Sequence, residues 1–150
     1  LPLLGVTATA MREGGLDGGF WVIFTPQGPL TATGYRMSRD TAILRAVSVH
    51  RMVAAHPETF AFVRTAAEAR QAAADNKIVV MLSIENSYPL GEDLSLLATF
   101  QKLGVRLVGP VHGANNQFAD SSTAVPRWKG LSPAGRELVK EANRLGMVLD

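Results

Sequence analysis

Three polar residues that could do chemistry follow apolar runs: Glu85 after "KIVVMLSI", His112 after "VRLVGPV" and Asp150 after "MVL". A carboxylate is a hard oxygen donor for divalent cations, and an imidazole can polarise or orient a substrate carbonyl. If the three runs are parallel strands, their ends meet at the carboxyl edge of one sheet, where α/β proteins place functional groups. The spacing therefore predicts a polar site at such an edge.

Glu85 and His112 each have a second interpretation. Glu85 is either a metal ligand or general base, or a loop anchor that accepts hydrogen bonds from the N–H groups of Asn86 and Ser87. His112 either contacts a substrate carbonyl or hydrogen-bonds its own loop. Spacing does not fix the direction of a side chain, so both pairs of alternatives stay open at this level.

Other candidate residues favour structural roles. His50 falls on the apolar face of a predicted helix and is interpreted as a core histidine, and His56 as a solvated turn residue. Asp120 and Ser121 lie in a polar loop without a base beside the hydroxyl, so a serine nucleophile is not expected. The Gly-rich stretch 13–19 precedes a strand instead of linking strand to helix, which makes it a poor phosphate loop.

The elements that must position these residues alternate between strand and helix. Strands are predicted at 20–26, 59–65, 77–85 and 105–112 and from Met147 onwards. Helices are predicted from Ser38 or Asp40 to Ala55, from the capping box Thr65–Glu68 to near Asn76, from Glu92 to Lys102, and from Ser132 with Pro133 to Gly146. This order predicts α/β architecture with a parallel sheet, as part of a barrel or a wound sheet.

Composition excludes several classes of protein. The 150 residues carry a net charge of +2 with scattered Lys and Arg, so no nucleic-acid partner is expected. Without cysteine there is no disulfide scaffold and no thiolate zinc site. No apolar stretch approaches the length of a membrane span, and no signal peptide is visible. Because the sequence does not begin with Met, we expect an interior piece of a longer protein, and its compartment stays open.

Five blocks of the sequence, taken in order, resemble the membrane (renal-type) dipeptidases, the zinc peptidase family M19. They are "GGFWVIFTP", "VSVHRMVAAHPETFAFVRTAAEARQA", "KIVVMLSIEN", "LGVRLVGPVHGANNQFADSS" and "GLSPAGRELVKEANRLGMVLD". The resemblance implies that residues 1–150 form the N-terminal and central part of a metal-dependent (β/α)8 barrel, a partial TIM-type barrel incomplete at both ends.

The same resemblance implies a chemistry. Glu85 matches the carboxylate that bridges two zinc ions, and His112, with Asn115 in step, matches the histidine that contacts the substrate. Asp150 matches an aspartate with a supporting role near the metals. The full-length protein would then hydrolyse dipeptides by a hydroxide that the two zinc ions activate.

The sequence also departs from the family pattern. Asn86 and Tyr88 stand where the family's "E-G-G-H-S" has Gly and His, and Phe118 stands where Trp is usual. The family's first motif, H-x-D, would lie upstream of Leu1, and further metal histidines would follow Asp150. We therefore expect the isolated 150 residues to be inactive.

Two other functions remain open at this stage. One is a related amidohydrolase-type activity, such as a deacylase, a lactam hydrolase or a hydrolase of D-amino-acid dipeptides. The other is a metal-free pseudoenzyme that acts as a binding protein. As partners we expect a dipeptide substrate and, because part of a barrel exposes sheet edges, a homo-oligomer.

Overall fold

A parallel sheet of five strands forms the centre of the protein, as described by a computed structural model for residues 6–150. The strands are β1 (Gly18–Val22), β2 (Phe60–Phe62), β3 (Ile78–Ile84), β4 (Val105–Val108) and β5 (Val148–Leu149). The order runs β1-β3-β4-β5, and β2 also pairs with β3. The central strand of the sheet is therefore β3, the strand that carries Glu85 at its end.

Both edges of β3 are hydrogen-bonded to neighbouring strands. Its even-numbered residues form hydrogen bonds on the side of β2 and β4: Ile78 N donates to Thr59 O, and Ile84 O accepts from Gly109 N, both at 2.8 Å. Its odd-numbered residues form hydrogen bonds on the side of β1, where Val79 N donates to Asp17 O, also at 2.8 Å. The short strand β2 covers the first half of one edge and β4 covers the second half. The carboxyl end of β3 thus lies between β1 and β4.

Five α-helices accompany the strands within residues 6–150. They are α1 (Ala8–Glu13), α2 (Ala32–Ala55), α3 (Ala66–Ala74), α4 (Leu96–Lys102) and α5 (Pro133–Arg144). Each of α2 to α5 connects two successive strands, as parallel pairing requires. None of the helices in this part of the chain is long and apolar enough to span a membrane.

The hydrophobic core lies between the sheet and its helices. Every residue of β3 except the half-buried Met81 is buried, which fits a strand covered on both faces. Fully burying one side chain such as Leu82 stabilises the fold by roughly 1.5–3 kcal/mol. The core includes Ile23, Leu82, Ile84, Leu97, Phe100, Val105, Val108, Phe118 and Leu138.

Three sequence predictions are confirmed in detail. Thr65 and Glu68 form the predicted capping box at the start of α3. Ser132 caps α5 by accepting the N–H of Gly135, and Pro133 is the first helical residue. Gly146 follows α5 with φ of +66°, a conformation that glycine adopts without strain.

The predicted start of α2 was wrong. The helix begins at Ala32 instead of Ser38 or Asp40, with Thr31 as the N-cap. Ser38 lies inside the helix, is buried, and donates a hydrogen bond of 2.7 Å to Thr25 Oγ1. A serine therefore faces the sheet in the first two turns, so the apolar periodicity that marks the rest of the helix is interrupted there.

The predicted start of α4 was wrong as well. A short 3₁₀ turn (Tyr88–Leu90) follows β3, and α4 begins at Leu96 instead of Glu92. Asp93 Oδ1 accepts hydrogen bonds from the backbone N–H of Ser95 at 3.0 Å and from its hydroxyl at 2.7 Å. This local Asx-type turn occupies the segment where the helix was expected.

Three strands differ by more than one residue from their predicted ranges. The first strand was predicted at 20–26, whereas β1 is Gly18–Val22. The second strand was predicted at 59–65, whereas β2 is Phe60–Phe62. The range 105–112 was also too long, because β4 ends at Val108. Proline has no backbone N–H to donate, so Pro110 cannot continue the ladder. His112 consequently lies in a loop, four residues beyond the strand.

Candidate active site

Glu85 is the first residue after β3 and lies at the carboxyl edge of the sheet. The strand before it is buried on both faces, and the carboxylate emerges where burial ends, with 39 % of the side chain exposed. A charge in the strand itself would lose its hydration without a partner. Its position one residue later keeps the carboxylate partly solvated and accessible.

Close packing of β4 fixes the backbone of Glu85. Gly109 follows β4, and its N–H donates to Ile84 O at 2.8 Å. A Cβ atom at this glycine would lie closer than 3.0 Å to the carbonyl oxygen of Glu85 and 3.2 Å from its carbonyl carbon. Glycine is therefore required for the close approach of the two chains.

His112 faces Glu85 across the sheet edge. Its Nδ1 atom lies 3.2 Å from Glu85 Oε1, and 51 % of the histidine side chain is exposed. Phe24, from the loop after β1, packs against the imidazole in a T-shaped arrangement with ring centroids 5.5 Å apart. Three neighbouring loops of the sheet thus contribute to one small cluster.

The two alternatives in which Glu85 and His112 hydrogen-bond to their own loops do not fit this geometry. Within residues 6–150, no N–H group donates to the carboxylate of Glu85, so the anchor interpretation with Asn86 and Ser87 was wrong. The imidazole of His112, over the same range, has no hydrogen bond to its own loop. Both side chains keep hydrogen-bonding atoms that the fold does not use.

Asp150 shares the edge but does not join the pair. It follows β5, and its backbone N–H donates to Val108 O at 3.1 Å. Its side chain is exposed and takes part in none of the ion pairs within residues 6–150. Of the three residues that the sequence predicted at this edge, two make contact.

The remaining histidines have structural surroundings. His50 Nε2 donates to Leu103 O at 2.7 Å, and its half-buried ring packs on Phe62 with centroids 4.2 Å apart, which confirms a histidine with a structural hydrogen bond. His56 is 59 % exposed beside Glu58, as expected for a solvated turn.

The polar loop after β4 supports itself with its own side chains. Ser121 Oγ lies 2.9 Å from Thr123 Oγ1 and has no histidine beside it. Asp120 accepts the backbone N–H groups of Arg127, Trp128 and Gly130. Although the loss of solvation acts to raise the pKa of Asp120, these N–H groups outweigh it and the pKa is lowered. These residues order the loop that carries His112.

Sequence reasoning missed a group of buried amide side chains beneath the pair. Asn86 and Asn116 are 3 % and 0 % exposed and hydrogen-bond to each other, and Gln27 bonds to Asn86. The run "NNQ" at 115–117 signals amide hydrogen bonding, but nothing in the sequence shows that its partners lie after other strands.

The pair is chemically suited to part of a metal site and no more. A partly exposed carboxylate without N–H donors offers oxygen ligands to a divalent cation. However, residues 6–150 contain no group of three His, Cys, Asp or Glu side chains that could hold a metal ion. A metal bound at Glu85 needs further ligands from outside the described residues.

Fold and site together define part of a parallel α/β barrel with a carboxylate–imidazole pair at its carboxyl edge. Residues 3–150 match the profile of the membrane dipeptidase family, peptidase family M19. The chain belongs to this family, which confirms the resemblance seen in the sequence. Membership implies a metal-dependent peptidase fold.

Similar proteins cover nearly the whole chain. An uncharacterized dipeptidase of Schizosaccharomyces pombe is 34 % identical over 149 residues, which is 93 % of this chain and 36 % of the relative. The crystal structure of the probable dipeptidase PvdM from Pseudomonas aeruginosa superposes with a TM-score of 0.88 at 29 % identity, over 97 % of this chain and 39 % of that one.

A third similar protein carries a bound molecule. The metallopeptidase from Rhodobacter sphaeroides, liganded with a phosphinate mimic of the dipeptide L-Ala-D-Ala, is 31 % identical with a TM-score of 0.78, over 93 % of this chain and 47 % of that one. The chain spans about a third of the length of the curated relatives it matches. Its strands and helices superpose on the corresponding part of the solved structures and form part of a TIM-type barrel.

Proposed function

We propose that the full-length protein hydrolyses dipeptides in a metal-dependent reaction, with Glu85 as a ligand that bridges two zinc ions and His112 as the substrate-contacting residue. The observation that carries the proposal is the meeting of these two side chains, 3.2 Å apart, at the carboxyl edge of the sheet. They come from two different βα units and meet where catalytic residues of such barrels lie.

The family and its relatives support this chemistry. Several similar proteins are named dipeptidases, and one solved relative binds a phosphinate mimic of a dipeptide. A phosphinate resembles the tetrahedral carbon formed during peptide hydrolysis, and transition-state analogues bind more tightly than substrates. A dipeptide is accordingly the substrate class that we assign to the full-length protein.

Glu85 would hold the metal through its carboxylate oxygens. When bound, zinc lowers the pKa of a coordinated water towards neutrality and polarises the substrate carbonyl. Within residues 6–150, no backbone N–H donates to the Glu85 carboxylate and its polar side-chain contact is the one from His112 Nδ1 to Oε1 at 3.2 Å, so Oε2 could bind a cation without breaking a hydrogen bond. Residues 6–150 contain no group of three His, Cys, Asp or Glu side chains that could hold a metal ion, so Glu85 would supply one part of the metal site and not the whole of it.

His112 would act on the substrate carbonyl. Its Nδ1 atom faces Glu85, which leaves Nε2 as the ring nitrogen for the substrate, and Nε2 donates a hydrogen bond when it carries a proton, as in the Nε2–H tautomer or the imidazolium. As the carbonyl carbon becomes tetrahedral, negative charge develops on its oxygen, and a preoriented N–H donor stabilises that charge. Phe24 limits the rotation of the imidazole by packing against its ring.

Two substitutions in the full-length protein separate these roles. Glu85→Gln keeps the shape of the side chain but removes its charge, so we expect loss of both bound metal and activity. His112→Ala should keep the metal and lower kcat by roughly 10²–10³-fold, the usual cost of removing one such donor. Metal content by elemental analysis and dipeptide hydrolysis measure the two effects.

Glu137→Gln is the matched control for the charge change. Glu137 lies on the exposed face of α5 and pairs with Lys140 at 2.8 Å, so its substitution should change neither metal content nor turnover. Full metal content in the Glu85→Gln variant would disprove the assignment of the ligand, and an active His112→Ala variant would disprove the role of the histidine.

A further inference from the structure

Three carboxamide side chains link the loops after β1, β3 and β4. Asn86 Nδ2 donates to Gln27 Oε1 at 3.0 Å, and Asn116 Nδ2 donates to Asn86 Oδ1 at 2.9 Å. Asn86 Oδ1 also accepts the backbone N–H of Tyr88 at 3.1 Å. Asn86 therefore uses both ends of its amide group, and it directly follows Glu85 in the chain.

The two partners of Asn86 hold the segment that carries His112 at both of its ends. Asn116 Nδ2 donates to the carbonyl oxygen of Pro110 at 2.8 Å, on one side of the histidine. Gln27 Nε2 donates to the carbonyl oxygen of Asn115 at 2.8 Å, on the other side. Segment 110–115, with His112 between these two bonds, is thereby connected to the residue next to Glu85.

Burial makes this connection rigid. Asn86 and Asn116 are almost completely inaccessible to water, so a broken bond would leave a polar group without a partner. Asn116 Oδ1 in addition accepts the N–H groups of Phe118 and Ala119, at 2.7 and 3.0 Å, which fixes the direction of its amide. The hydrogen bonds of the cluster are thus mutually dependent.

We propose that Asn86 is a positioning residue, which together with Gln27 and Asn116 holds the loop of His112 at a fixed distance from Glu85; this inference rests on the proposed function. The exposed side chains of Glu85 and His112 have no other bonds to the protein within residues 6–150 that would set their separation. The buried amides beneath them supply that constraint. Asn86 acts through His112 and does not contact substrate.

The test is a double-mutant comparison in the full-length enzyme. Asn86→Ala removes the connections to both ends of the His112 segment, and we expect kcat to fall on the order of 10- to 100-fold, because a displacement of about 1 Å can cost about 10²-fold. KM and metal content should change little. In the His112→Ala background the same substitution should have almost no further effect, because the residue it positions is absent.

Matched variants separate positioning from folding. Asn143→Ala makes the same change on the exposed face of α5 and should leave kcat unaltered. If Asn86→Ala does not fold, Gln27→Met replaces it, since Gln27 is only half-buried and its loss removes one of the two end bonds. This variant should show a smaller fall in kcat with the same dependence on His112.

The outcomes distinguish a failure of the positioning role of Asn86 from a failure of the proposed dipeptidase function. A fall in kcat that requires His112 supports the positioning role. An equal fall in both backgrounds, or no fall at all, overturns that role while dipeptide hydrolysis by the parent enzyme upholds the proposed function. A parent enzyme that contains metal but hydrolyses no dipeptide overturns the proposed function itself.

Discussion

Substituting Gly109 by alanine tests whether the position of the Glu85 backbone matters for catalysis. The added methyl group would lie well inside 3.0 Å of the Glu85 carbonyl oxygen, whereas ordinary contacts begin near 3.4 Å. The two segments must therefore separate by roughly 1 Å. That movement weakens two bonds of Gly109, from its N–H to Ile84 O at 2.8 Å and from Ser87 Oγ to its own carbonyl at 2.9 Å.

Two consequences of the Gly109→Ala change can be measured separately. Overpacking of this kind costs about 1–3 kcal/mol, so the free energy of unfolding should fall by that amount. A displacement of about 1 Å at the catalytic carboxylate should also lower kcat on the order of 10- to 100-fold. Chemical denaturation gives the first quantity, and dipeptide hydrolysis by the full-length enzyme gives the second.

Gly113→Ala is the matched control in the same loop. A Cβ atom at Gly113 meets nothing within 4 Å, so this substitution should leave both stability and kcat close to those of the parent. Equal behaviour of the two alanine variants would refute the reasoning that close packing at Gly109 fixes Glu85. A loss of stability without a loss of kcat would show that the displacement does not reach the carboxylate.

Two further predictions concern neighbours of the pair. Phe24→Leu removes an aromatic contact with His112 that is worth about 0.5–1.5 kcal/mol, so kcat should fall between about twofold and tenfold. Phe60→Leu is the control, because it removes a similar T-shaped contact with Trp21 and should leave kcat unchanged. A change in kcat for both leucine variants would contradict this. Ionised Asp120 stabilises its loop above the ordinary aspartate pKa of 3.8, and this stabilisation is lost as the pH falls through the lowered pKa of the folded state. Asp120→Asn should therefore lower Tm near neutral pH, and the difference should disappear in acid; a Tm difference independent of pH would contradict it.

Much of the fold could be predicted because its signals are local. The continuous apolar run of β3, the capping box at Thr65 and the Ser-Pro start of α5 each lie within a few residues of the element they define. The start of α2 could not be predicted in the same way. Ser38 is buried there because it bonds to Thr25 across the fold, and that partner is not visible in the helical pattern.

The candidate site could be predicted only in its outline. Parallel strand ends indicate which residues share an edge, and this placed Glu85, His112 and Asp150 at one edge of the sheet. Which of them touch depends on loop conformation, and the loop of His112 is hydrogen-bonded to Gln27 and Asn86, which lie far away in sequence. The amide cluster was missed for the same physical reason.

A charged residue can directly follow the buried strand β3 because backbone hydrogen bonds hold its position while its side chain takes no part in them. The backbone on either side of the Ile84–Glu85 peptide is held by β1 and β4, through bonds such as Ile23 N to Ser83 O at 2.7 Å. None of these bonds uses the carboxylate of Glu85, so the position of the residue does not depend on its charge. The fold can therefore present a carboxylate with free oxygens at a fixed place, and a neutral isostere should alter metal binding while leaving the architecture of the sheet intact.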